Sequence, residues 1–251
     1  MPRRILGVVP ARFASTRFPG KPLALLAGKP IIQHVFERAT QSRYLTEVVI
    51  ATDDDRIACA ARRFGAPVRM TRNDHASGTD RVAEAAAADS AELIVNIQGD
   101  EPLIDPEAID AAIAAMLENE DTPMGTLKKR IENPEEIANP NVVKVVTDLA
   151  GKAIYFSRLP IPFTRDRAAA VHYKHLGLYV YRRGFLAGYS QMRTGPLEQA
   201  EKLEQLRALE NGYAIRVAET ESESLGVDTP EDLERVSQWF ASGSDRMERH
   251  G

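Results

Sequence analysis

The chain is poor in the residues that build covalent or metal-clustered sites. Its one cysteine, Cys59, excludes an intramolecular disulfide and cannot build a cysteine-rich metal centre. Cys59 falls in the apolar phase of a helical stretch, which predicts a core position. No Ser/His/Asp set, H-E-x-x-H pair or cysteine nucleophile can be argued from the sequence. G-x-G-x-x-G is absent too, and with it the dinucleotide-binding fingerprint. No apolar run approaches a membrane span and the N-terminus carries no apolar h-region, so a cytoplasmic setting without a membrane partner is expected. The net charge of −4 argues against a general nucleic-acid binder. Basic residues gathered early in the chain are therefore local in purpose.

What is present is an ordinary soluble composition, 43% hydrophobic and 27% charged, over 251 residues. Strand-like runs at Ile5–Val9, Val48–Thr52 and Leu93–Ile97 alternate with helix-like stretches at Pro30–Thr40, Asp54–Phe64, Gly78–Ala88 and Pro106–Glu118. Ser77 and Asp105 are good N-caps, and Pro30 and Pro106 suit a first helical position. The alternation predicts an α/β fold, a mainly parallel sheet with helices on both faces. Ligands of such sheets sit beyond the carboxyl ends of strands, so the loops after Val9, Thr52 and Ile97 should share one crevice.

The second half reads differently. Val142–Val146 and Ala153–Phe156 flank a hairpin turn, and a β-rich run follows at Tyr173–Tyr181. Helices are predicted at Phe185–Met192 and Pro196–Asn211, then a short strand at Ala214–Ala218. Thr229 caps a last helix, with Pro230 at its first position and Asp232 in the capping-box place. The reading is one domain over 1–241 with a β-rich insertion at about 142–182, and a polar tail, 242–251, that frays.

The densest signal lies between Val8 and Lys21. An apolar strand runs into a loop with three cations, Arg12, Arg17 and Lys21, and a Pro-Gly corner. A strand–loop–helix with basic side chains suits a phosphate chain. It is not a Walker A motif, which would need Gly at Ser15 and Ser or Thr at Pro22 beside the Gly20-Lys21 pair. The loop relies on cations more than on glycine.

Two carboxylates are candidates for a metal. Asp100 follows Gly99 at the end of the third strand, and Asp228 stands just before the Thr229 cap. Mg²⁺ needs one or two protein carboxylates when a substrate supplies phosphates. The polar stretch Met70–Arg81, with Arg72, Ser77 and Gly78, could read the edge of a base. His172 and His175 point to opposite faces of a regular strand and cannot share a metal, but His175 could meet a substrate carboxylate. Glu204, beside Gln205, sits on the flank of an apolar helical stripe, where a partly buried Glu needs a partner or a ligand. Cations, carboxylates and small polar loops suit phosphoryl or nucleotidyl transfer, in which positioning and charge neutralisation dominate.

Motifs from end to end resemble one family. They are Pro10-Ala-Arg-x-x-Ser-x-Arg-x-Pro-Gly-Lys21, Ala51-Thr-Asp-Asp54, Thr71-Arg-x-x-His-x-Ser-Gly-Thr79, Asn96-Ile-Gln-Gly-Asp-Glu-Pro102, Asn141-x-Val-Lys-Val-Val146, His175-Leu-Gly177, Leu203-Glu-Gln-Leu-Arg207 and Gly226-Val-Asp-Thr-Pro230. Together they are similar to 3-deoxy-manno-octulosonate (Kdo) cytidylyltransferases, over about Arg4 to Arg235. The resemblance implies a nucleotide-diphospho-sugar-transferase-like α/β fold, usually a homodimer, in a lipopolysaccharide-making bacterium. The implied reaction is CTP plus Kdo giving CMP-Kdo and pyrophosphate. Carried over by position, Arg12 and Lys21 grip the phosphates with Arg17 assisting. Arg72, Ser77, Gly78 and Gln98 line the cytidine pocket. Asp100 and Asp228 hold Mg²⁺, and Arg158, His175, Glu204 and Gln205 contact the sugar. The alternatives are a cytidylyltransferase for another acidic sugar, such as sialic acid or an amino analogue of Kdo, and a non-catalytic nucleotide-binding subunit.

Overall fold

The computed structural model describes residues 3–14, 18–165, 171–223 and 225–241. The expectations for Arg17 and for the 242–251 tail lie outside the described residues. Strand β1 (Ile5–Ala11) turns Ile5 and Val9 into one core and Leu6 and Val8 into the other. A strand buried on both faces reads as an unbroken apolar run. A single 3-10 turn, Lys21–Leu23, and the short hairpin β2 (Leu25–Leu26) and β3 (Lys29–Pro30) lead into α1 (Ile31–Ala39).

There follow β4 (Glu47–Thr52), α2 (Asp55–Arg63), β5 (Val68–Met70), α3 (Gly78–Ala86), β6 (Leu93–Asn96) and α4 (Pro106–Leu117). Asp54, Ser77 and Asp105 each cap a helix through the side chain, and Ser77 forms a full capping box with Asp80. Next come β7 (Met124–Arg130), α5 (Glu135–Ala138), β8 (Lys144–Thr147), β9 (Ala153–Ser157), β10 (Tyr173–Arg182) and α6 (Arg183–Tyr189). The chain continues through α7 (Pro196–Glu201), α8 (Leu206–Glu210), β11 (Ile215–Glu219) and α9 (Pro230–Ala241).

The main sheet runs β11-β7-β10-β6-β1-β4-β5. Every neighbouring pair in it is parallel except those of β10, which is antiparallel to β6 and β7. The β8–β9 hairpin branches off β10 at Lys144–Lys174, while β10 itself lies inside the main sheet. One core gathers Ile32, Ile57 and Ile109 from α1, α2 and α4, and the other gathers Val82, Leu186 and Leu206 from α3, α6 and α8. No described helix is long and apolar enough to cross a membrane.

Three expectations change. Cys59 is exposed, because Ile57, Ala58 and Ala61 carry the buried face of α2. Strand β7 was not expected. Its second half, Leu-Lys-Lys-Arg, hides the alternation, yet Met124 to Leu127 are buried and the two lysines pair with Glu219 and Glu223. The helix expected over Pro196–Asn211 breaks at Lys202, which takes the left-handed region (φ 54°). That break puts Glu204 and Gln205 between α7 and α8.

Candidate active site

Strands β1 and β6 are parallel neighbours, with Val8 opposite Asn96, so their carboxyl ends open side by side. The chain beyond them bounds a cleft of about 340 Å³. Its walls include Pro10, Ala11 and Arg12 after β1, Gln98, Gly99 and Asp100 after β6, and Ser77, Gly78 and Arg81 of α3. The loops meet closely: a Cβ on Gly99 would stand 2.6 Å from the Pro10 carbonyl oxygen. Only glycine fits that approach. The third expected contributor, the loop after Thr52, does not line the cleft but reaches it through an Asp53–Arg81 ion pair of 3.1 Å.

Gly20 turns the first loop in the left-handed region (φ 73°) and starts the 3-10 turn at Lys21. The Lys21 ammonium then donates to Asp100 Oδ2 at 2.7 Å and to Asp228 Oδ1 at 3.2 Å. The backbones of the two acidic segments are tied as well, since Val227 N–H donates to the Asp100 carbonyl at 2.8 Å. Asp232 accepts from the Asp228 and Thr229 amides, fixing the turn that carries Asp228. Lys21 is 14% exposed, against 32% and 48% for the two carboxylates. Arg12 lines the same cleft, and the two carboxylates are the more open partners of the ammonium. That oxygen donor set fits Mg²⁺, with the remaining ligands from substrate phosphate. Among the described residues no group of three or more His, Cys, Asp or Glu could hold a metal.

On the other wall, Ser77 and Gly78 reach the cleft, whereas Arg72 does not. The Arg72 guanidinium is exposed, 3.4 Å from Asp74, and faces a larger cavity of about 650 Å³ between α3 and α6. Arg81 was not anticipated. It is nearly buried and lines the cleft, and its place four residues after Ser77 on one helix face was the available signal.

An inner cavity of about 90 Å³ shares Gly78 and Gln98 with the cleft. Asn96, Tyr179, Glu204 and Gln205 are among its walls. Burial pushes the Glu204 carboxyl up from its ordinary range, with the Thr79 hydrogen bond opposing the shift. Gln205 is 3% exposed; its Oε1 accepts from the Tyr179 hydroxyl at 3.2 Å, while its Nε2 has no partner. The buried Asn96 Oδ1 is also unpartnered. Such groups call for a polar occupant. Asn96, a polar residue closing the apolar run Leu93-Ile94-Val95, could have been picked out on that ground.

His175 stands behind this cavity. Its Nε2 is 2.9 Å from the Thr126 hydroxyl, and its ring packs against Phe156 and Tyr179. Burial pulls the imidazole down to about 3, so it is neutral. Arg158 lines neither the cleft nor the inner cavity; its guanidinium donates to the Glu201 and Pro140 carbonyls. The sequence-expected residues thus divide. Arg12, Lys21, Ser77, Gly78, Gln98, Asp100 and Asp228 meet in the cleft, Glu204 and Gln205 in the cavity beside it, and Arg72, Arg158 and His175 stand outside both.

Known proteins resemble this chain over nearly its whole length. The cytidylyltransferase family profile matches residues 6–220. A 3-deoxy-manno-octulosonate cytidylyltransferase of Solibacter usitatus is 70% identical over 241 residues, covering 96% of each chain. The solved structure of a CMP:2-keto-3-deoxy-manno-octonic acid synthetase complexed with CTP is 45% identical, with a TM-score of 0.92 over 95% of this chain and 99% of that one. A 4-diphosphocytidyl-2C-methyl-D-erythritol synthase from Anaerococcus prevotii shares the fold, at 13% identity and a TM-score of 0.63 over 96% of this chain and all of that one.

Proposed function

The chain belongs to the 3-deoxy-manno-octulosonate cytidylyltransferase family, and from that premise we propose that its cleft joins CTP to Kdo, giving CMP-Kdo and pyrophosphate. The observation that carries this reading is the Lys21 ammonium held between Asp100 and Asp228 where the β1 and β6 loops meet. Arg12 and Lys21 take the triphosphate, with Arg17 assisting. Ser77, Gly78 and Gln98 frame the cytidine, and Arg72 joins them by swinging in from the neighbouring cavity. Asp100 and Asp228 would hold Mg²⁺, which would supply charge neutralisation for the departing pyrophosphate and would lower the proton affinity of the attacking hydroxyl.

The acceptor takes the inner cavity, because Gly78 and Gln98 border both spaces and would bring its anomeric hydroxyl beside the α-phosphate. Glu204 and Gln205 hold sugar hydroxyls. His175, being neutral, contributes through the Tyr179 ring it supports and through an N–H, not through charge. Arg158 pairs with the sugar carboxylate after releasing its two carbonyl partners. Kdo and CTP are both anionic, so Arg12, Lys21 and Arg158 offset a repulsion that would otherwise keep the reactants apart.

The chain acts as a single nucleotidyltransferase domain over 1–241, in which the 142–182 stretch adds the β8–β9 hairpin and supplies β10 to the main sheet. Its product feeds lipopolysaccharide biosynthesis from the cytoplasm. A homodimer is supported by Leu159, Phe163 and Val171, which stand exposed in that stretch. CTP with Mg²⁺ and a panel of Kdo, an amino analogue and sialic acid, followed by pyrophosphate release, tests the reading. Turnover with Kdo is expected; turnover with a relative but none with Kdo overturns the substrate, and none with any sugar overturns the reaction.

A further inference from the structure

The loop between β5 and α3 forms the base-side wall of the cleft, and its two ends are pinned in different ways. At the far end Ser77 caps α3: its Oγ accepts from the Asp80 amide and its own amide donates to Asp80 Oδ2, both at 3.1 Å. At the near end the Thr71 amide donates to the Thr52 carbonyl at 2.9 Å, and the Arg81 guanidinium donates to the Thr71 hydroxyl. Between them the holding falls to Glu84, beside one long 3.5 Å contact from the Arg81 guanidinium to the Arg72 carbonyl. Glu84 Oε2 accepts from the Arg72 amide at 3.0 Å and from His75 Nε2.

His75 is the partition of this region. Its side chain is 6% exposed, and it lines both the 340 Å³ cleft and the 650 Å³ cavity on the other side. Glu84 lines the larger cavity and not the cleft, so it reaches the nucleotide wall through His75 and the Arg72 amide alone. Arg81 and Glu84 stand one turn apart on α3 and both extend back to the loop, as i, i+3 neighbours can. Burial works against the Glu84 charge, but the His75 hydrogen bond and the Arg72 amide outweigh it and keep the carboxyl below its ordinary range.

We propose that Glu84 is a positioning residue for nucleotide recognition: by bridging the Arg72 amide and the His75 ring it sets the base-side wall of the cleft and so the selection of the cytosine ring. This rests on the reading that the 70s loop faces the nucleotide. Loss of the bridge frees the loop middle while the capping box and the Thr71 anchor keep both ends. The defect therefore falls on nucleotide binding and not on the fold, the sugar or the chemical step.

Steady-state kinetics of Glu84→Ala, Glu84→Gln and Ser77→Ala, with CTP and UTP varied separately from Kdo, test this. Glu84→Ala should raise KM for CTP about tenfold, the equivalent of two modest hydrogen bonds. Its kcat and KM for Kdo should stay near wild type, and its preference for CTP over UTP should shrink. Glu84→Gln, which keeps one acceptor for the Arg72 amide, should fall between the two. An unchanged CTP KM in Glu84→Ala overturns the proposal, and so does a loss shared equally by kcat and both KM values with a lowered melting temperature. Ser77→Ala separates the two ideas. If it disturbs CTP use while Glu84→Ala does not, the bridge is wrong and the cleft reading stands; if neither variant disturbs CTP use, the loop does not face the nucleotide at all.

Discussion

The Lys21 ammonium lies 2.7 Å from Asp100 Oδ2, joining the first loop to the end of β6 across 79 residues of sequence. Asp228 shares the same ammonium from a still more distant segment. The assembly sets one cation between two acids drawn from three distant segments of the chain. Asp100→Asn keeps the shape and removes one charge. It should abolish pyrophosphate release while leaving the melting temperature within a few degrees, because an ion pair this open contributes only about 1 kcal/mol to stability. Near-normal turnover would remove Asp100 from the chemistry.

Gly99 is a second point at which fold and site meet. A methyl group there would lie 2.6 Å from the Pro10 carbonyl oxygen, a backbone atom that cannot swing aside. Gly99→Ala should force the β1 and β6 loops apart, costing about 1–3 kcal/mol as overpacking does. Urea denaturation would show the lower midpoint, and CTP use should weaken with it. A variant as stable as wild type, with the same CTP dependence, would mean that the loops part freely.

The pH response of His175 has a definite sign. The unfolded chain protonates this imidazole near 6.5, whereas burial holds it to about 3 in the fold. The unfolded state therefore binds the extra proton first. Stability owed to the neutral ring is complete above about pH 6.5 and is lost progressively as the pH falls towards 3. Wild type should lose more stability between pH 7.5 and 4.5 than His175→Gln does, as read from paired denaturation curves. Equal slopes would place the imidazole in contact with water. The kcat profile should show no His175 limb between about pH 5 and 8, where an ordinary histidine would titrate.

How far the site could be read ahead of the structure depends on the range of the forces involved. Ser77, Asp105, Thr229 and Asp232 declared helix starts because capping is a contact within one turn of chain. The Val9, Thr52 and Ile97 strand ends were visible because both faces of their strands are buried and hydrophobicity runs unbroken. Strand β7 escaped because Lys128 and Lys129 sit in the sheet with their ammonium groups carried to Glu219 and Glu223, partners some ninety residues away. The outward turn of Arg72 and the capture of Arg158 by the Glu201 and Pro140 carbonyls are likewise tertiary events. Residue type and order place an arginine near a site, but the competing acceptors decide where its guanidinium points.

Lys144 extends that lesson to the Asn-x-Val-Lys-Val-Val motif, whose lysine has no place in the cleft. Its side chain is fully buried, and its ammonium donates to the carbonyls of Asn139 at 2.9 Å and of Val142 and Arg158 at 2.6 Å each. Burial lowers its proton affinity, but three carbonyl acceptors keep the site suited to a cation. The Asn139 and Val142 acceptors precede β8 and the third follows β9, so the lysine staples the two ends of the hairpin together at Arg158. Lys144→Met fills a similar volume and takes the ammonium donor from the Val142 and Arg158 carbonyls, while the Asn139 carbonyl keeps the Val142 N–H, a cost on the order of 2 kcal/mol. Thermal melting should register that loss. If Arg158 serves the sugar, KM for Kdo should rise in the folded variant while KM for CTP holds, because the nucleotide cleft shares no residue with this staple. A rise in both constants, or in neither, would separate Arg158 from the sugar and leave Lys144 a purely architectural residue.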